Sequence, residues 1–86
     1  MTRVRFLVMV MRLPAFDAAQ IQPHRDFLDA LRAEGRLELA GPFGDGSGGA
    51  YLLLADDLDE ATAIAHRDPL HLTGGSRITV YAWRAA

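Results

Sequence analysis

The sequence predicts a small α+β sandwich, one four-stranded antiparallel sheet with two helices on a single face. Three observations predict it. The 86 residues alternate between short apolar runs and longer amphipathic ones in the order β-α-β-β-α-β. The first and third strand runs, "VRFLVMVM" and "AYLLLA", are the most apolar, as the two central strands of such a sheet must be. The segment "GDGSGG" between the second and third runs has the glycine density of a hairpin loop. This order of elements is that of the ferredoxin-like fold, built here as a single domain over residues 1–86.

The first strand is expected over Arg3 to Leu13 and ends before Pro14. Val4, Phe6, Val8 and Val10 share one parity and Leu7, Met9 and Met11 the other, so both faces of this strand need cover. Asp17 and Gln20 have capping-box spacing for a helix that reaches Glu34, with Gly35 just past its end. Pro23 implies either a distorted first turn or a regular helix that starts at Pro23; we read one kinked helix.

"RLELAGPF", Arg36 to Phe43, is the second strand, with Leu37 and Leu39 expected on one face and Pro42 suiting an edge. The third strand is expected over Ala50 to Ala55. Asp57 and Glu60 cap a second helix that turns Leu58, Ala61, Ile64 and Ala65 inward and stops near Arg67, before Pro69. "HLTGG" reads as a loop, and the last strand runs from Arg77 to Trp83. The helices cover one sheet face only. Met9, Met11, Tyr81 and Trp83 would leave the other face too apolar for water, so a homodimer with its sheets packed face to face is expected.

Bulk composition excludes several classes of function. The formal net charge is −2, whereas a nucleic-acid binder normally shows a basic face, so RNA or DNA is disfavoured as a partner. No Cys is present, which removes disulfides, thiolate nucleophiles and Cys-based zinc sites, and fits a cytoplasmic protein. The apolar run from Phe6 to Met11 is too short for a membrane helix, and no targeting segment is expected.

The informative polar residue is His24. At about 100° per residue, Ile21, His24, Leu28 and Leu31 fall on one helix stripe roughly 80° wide. An imidazole there is either hydrogen-bonded at the rim of the core or an acid/base group, since its ordinary pKa suits proton transfer near neutrality. Asp68 is either a turn residue before Pro69 or a carboxylate that orients His24. His66 and His71 match no compact metal-ligand spacing, and no metal or other cofactor is expected. The glycine loop lacks a Lys-Ser/Thr pair and joins two strands, which disfavours phosphate binding. Ser47 carries no signature of a nucleophile, and Arg12 either steers an anionic substrate or ends a strand in solvent, the second being the favoured reading.

Taken together, "HRDFLDALRAEGRLELAGPF", the segment "GDGSGGAYLLLADDLDEATAIAHRDPL" and the closing "ITVYAW" resemble the YCII-related family. The family belongs to the dimeric α+β barrel group, and the resemblance spans nearly the whole chain. It implies a His–Asp pair at His24 and Asp68. Leu70 stands where the family often has an aromatic residue, and Gly74-Gly75 replaces a more usual Ala-Gly. The expectation that follows is a proton-transferring enzyme of lyase or isomerase type, acting on a small cyclic or aromatic organic acid. Gly41, Pro42 and side chains of a partner subunit would shape its pocket. The rival expectation is a non-catalytic ligand-binding or accessory module.

Overall fold

The computed structural model describes residues 4–85. The Arg3 end of the expected first strand lies outside them. Strand β1 (Val4–Arg12) and strand β3 (Gly48–Ala55) are the central pair, flanked by β2 (Leu37–Pro42) and β4 (Ser76–Ala82) in the order β2-β3-β1-β4. All three pairings are antiparallel. Helix α1 (Ile21–Ala33), helix α2 (Leu58–Ala65) and a one-turn helix α3 (Pro69–Leu72) complete the chain. The ferredoxin-like α+β arrangement read from the sequence is therefore the observed one, with β1 and β3 inside and β2 at an edge.

Parity explains the core. Phe6, Val8 and Val10 of β1 and Tyr51, Leu53 and Ala55 of β3 alternate onto one face and are buried. Leu31 of α1, Leu70 of α3 and the Ala61, Ile64 and Ala65 triplet of α2 close over them. The two alanines let α2 lie near the sheet. On the opposite face Leu7, Met9 and Met11 are only partly covered, and Tyr81 and Trp83 are 53% and 44% exposed.

Several boundaries differ from expectation, each for a local reason. The Asp17–Gln20 capping box does not form. Asp17 Oδ1 instead accepts from Ala19 N at 2.9 Å and opens a 3-10 turn over Ala18–Gln20, which leads into α1. Pro23 is thus the third residue of α1, in the turn whose N–H groups lack intrahelical partners anyway. Leu39 does not share a face with Leu37. A bulge between Leu37 and Ala40 inserts one residue into β2 and flips the parity, leaving Leu39 67% exposed. Leu58, at the first position of α2, is likewise exposed instead of inward. Helix α2 stops at Ala65, two residues short of Arg67, and "HLTGG" is not wholly a loop because α3 occupies its start.

Helices α1 and α3 end in the same way. Arg36 N donates to Leu31 O and Gly35 N to Arg32 O, a Schellman closure with Gly35 at φ 74°. After α3, Gly75 N donates to Leu70 O and Gly74 N to His71 O. Strand β3 starts two residues earlier than read, because Gly48 and Gly49 pair with β1 and β2. A Cβ on Gly48, at φ 154°, would stand 2.1 Å from the Val10 carbonyl oxygen. Gly48→Ala is therefore expected to lower stability by on the order of 3 kcal/mol, read as a fall in the urea midpoint at constant slope.

In the hairpin loop Ser47 Oγ and Ser47 N both donate to Asp45 Oδ1, which holds the Asp45 carboxyl below its ordinary range. The loop binds itself, as a hairpin turn does. Among the described residues no helix is long and apolar enough to cross a membrane.

Candidate active site

Two helix starts bring His24 and Asp68 together. His24 is the fourth residue of α1, on its inward stripe. Asp68 is the N-cap of α3, followed by Pro69 at the first helical position, where a missing N–H has no consequence. Asp68 Oδ1 accepts from Leu70 N at 2.9 Å, and Oδ2 lies 2.8 Å from His24 Nδ1. A carboxylate oxygen accepts, so Nδ1 is the donor, and in the neutral ring that tautomer leaves the lone pair on Nε2. The Asp68 side chain is fully buried, whereas His24 is 18% exposed. With both oxygens engaged, the carboxylate cannot turn, and the imidazole is held between a buried anchor and open space.

That space is a cavity of about 490 Å³, within the range of small-molecule sites. His24 lines it, with Val10, Phe16, Ile21, Leu28 and Leu70 as apolar wall. Gly41 and Pro42 line it from β2. Asp68 is behind His24, outside the lining. Arg12 also borders the cavity, so it is more than a strand end in solvent; its guanidinium lies 4.2 Å over the Phe16 ring. The four candidate positions thus converge on one place, three on the cavity wall and Asp68 one hydrogen bond away.

His66 and His71 stand apart from it, their rings stacked at 4.3 Å. Among the described residues no three His, Cys, Asp or Glu side chains are gathered as a metal site requires.

Sequence reasoning missed Tyr51 and Ser76, which also line the cavity. The hydroxyls of both are buried without a hydrogen-bond partner among the described residues. Burial, and next the charge of Asp68, push the Tyr51 phenol above its ordinary range. A signal for Tyr51 existed: it has the parity of Leu53 and Ala55, so its polar tip had to end under the helices.

A buried carboxylate holding a histidine at the wall of a cavity, on a ferredoxin-like sheet, defines a small α+β domain with a ligand-sized site. A YCII-related domain matches residues 4–84, and the chain belongs to that family. It is 44% identical over 79 residues to the uncharacterised protein YjpA of Bacillus subtilis (strain 168), covering 92% of this chain and 93% of that one. Among solved structures it is similar to 5-chloro-2-hydroxyhydroquinone dehydrochlorinase (TftG) of Burkholderia phenoliruptrix AC1100, in complex with 2,5-dihydroxybenzoquinone. The TM-score is 0.77 at 21% identity, over 95% of each chain, a likeness of fold.

Proposed function

We propose that the chain is an enzyme of lyase or isomerase type that moves a proton on a small cyclic or aromatic organic acid. His24 is the acid/base group and Asp68 the residue that positions it. The observation carrying this reading is the 2.8 Å bond between a fully buried carboxylate and a histidine that lines the cavity. Nε2 takes a proton from a C–H or O–H bond of the substrate, and the bonding pair stays on the substrate. Asp68 stabilises the imidazolium that forms. Returning the proton at another position completes an isomerisation. Loss of a leaving group with its electron pair completes an elimination, after which His24 gives its proton to solvent.

Backbone at Gly41 and Pro42 forms the substrate's wall on the β2 side. The likeness to a dehydrochlorinase that holds 2,5-dihydroxybenzoquinone supports an oxygenated ring as the ligand class. Absence of Cys fits a cytoplasmic setting.

The test is a panel of oxygenated six-membered rings, including 2,5-dihydroxybenzoquinone, followed by calorimetry for binding and mass spectrometry for products. Conversion of at least one compound is the expected result. Binding without conversion of any would make the chain a ligand-binding module instead.

The working form in this proposal is a homodimer with the Met9 and Tyr81 faces of its sheets packed together, which covers the apolar outer face. Sedimentation equilibrium should return twice the 9.4 kDa chain mass, and Met9→Asp should shift it to one. Neither nucleic acid nor a membrane is a partner in this account.

A further inference from the structure

We infer that the cavity is built for a ring carboxylate bearing a second oxygen on its far side. Arg12 and Ser76 receive the carboxylate, and the Tyr51 hydroxyl receives the second oxygen beside His24. The inference rests on the proton-transfer reading of His24 and adds to it the shape and polarity of the ligand.

Two buried hydroxyls carry it. Tyr51 and Ser76 are 2% and 3% exposed, and among the described residues their oxygens are the buried side-chain atoms without a partner. Both residues line the His24 cavity. A buried hydroxyl left unpaired is destabilising, and Phe or Ala at these positions would pack without that penalty. Their coincidence in one cavity marks where a ligand supplies the missing bonds.

Strand register separates the two. Tyr51 stands opposite Val8, and Ser76 opposite Arg12 across the other side of β1. The two rungs are four residues apart along β1, about 13 Å, with the Val10 rung between them. By register the apolar Val10 rung therefore lies between the Tyr51 rung and the Ser76 rung. A flat ring substituted at opposite positions has that pattern.

Charge tells the ends apart. The Arg12 guanidinium has no carboxylate partner among the described ion pairs, and its side chain shares a sheet face with Ser76. A guanidinium next to a hydroxyl donor suits a carboxylate. At the other end Asp68 supplies negative charge and would repel one. The Tyr51 phenol, held above its ordinary range, remains an O–H donor there. Its partner is a neutral carbonyl or hydroxyl oxygen. When His24 removes a proton nearby, the electron pair left on the ligand gathers on that oxygen, and Tyr51 donates to it.

Three probes test the assignment by calorimetry: 4-hydroxybenzoate, benzoate without the far oxygen, and phenol without the carboxylate. Tyr51→Phe should weaken 4-hydroxybenzoate about tenfold and leave benzoate unchanged. Arg12→Gln and Ser76→Ala should weaken both carboxylates about tenfold and leave phenol unchanged. The inference is overturned if the wild type fails to bind 4-hydroxybenzoate, or if a variant loses all three probes alike. A second measurement needs no ligand. Removing an unpaired hydroxyl should hold or raise the Tm of the free protein, by up to about 8 °C for Tyr51→Phe. A lower Tm would make that hydroxyl a structural member and sink the proposal. None of these readouts is turnover, so they stand or fall separately from the acid/base role of His24.

Discussion

His24→Gln should lower kcat by about 10²–10⁴ on any ring compound the wild type converts, while Tm moves by no more than a few degrees. Glutamine keeps a polar side chain of similar reach that can still meet Asp68 Oδ2. It has no group that takes up and releases a proton near neutral pH. His24 is also part exposed on the cavity wall, so the helix stripe that buries Leu31 loses little. A structural histidine would give the opposite pattern, with stability falling and turnover following it only in proportion to the folded fraction. The two readouts, steady-state rate and thermal midpoint, therefore separate the roles.

Asp68→Ala should do both kinds of damage. It removes the acceptor for Leu70 N, the N-cap of α3, which typically contributes about 1 kcal/mol. It also leaves His24 Nδ1 without its buried partner, for a further cost of about 1–3 kcal/mol. The sum, on the order of 3 kcal/mol, corresponds to a fall in Tm of roughly 12–24 °C for a domain of this size. Asp68→Asn separates the parts. Its side-chain oxygen can still cap Leu70 N, so most stability returns, but its amide nitrogen then faces Nδ1 and favours the wrong tautomer. Turnover should remain at least about 10²-fold down in Asp68→Asn.

The fold was legible because its signals are local and redundant. The parity of Phe6, Val8 and Val10, the stripe through Leu31 and the glycine-rich hairpin each point to the same architecture. Where one inserted residue decides the outcome, the pattern misled: the β2 bulge turns Leu39 outward although its spacing from Leu37 is that of one face. Helix α3 was hidden by its length. Four residues show no period, and only the Asp68-Pro69 pair, an N-cap followed by proline at the first position, marked its start.

The site was partly legible for related reasons. His24 drew notice because a polar ring on a buried stripe is anomalous. That Asp68 reaches it depends on the corner between α2 and α3, which brings together residues 44 apart in sequence. Gly41 and Pro42 face the cavity because the edge strand β2 runs beside α1, and β3 begins with Gly48 and Gly49 across from it. Tyr51 and Ser76 escaped because each hydroxyl hides within a strand whose apolar neighbours dominate the pattern.

The most direct test of proton transfer follows deuterium, not product. Wild-type protein and His24→Gln are incubated with the ring panel in D₂O, and loss of substrate C–H signals is followed by NMR. The account predicts that the wild type exchanges a proton of at least one compound, and that His24→Gln slows this at least about 10²-fold. Exchange at equal rates in the two proteins would contradict it and place the chemistry elsewhere than His24.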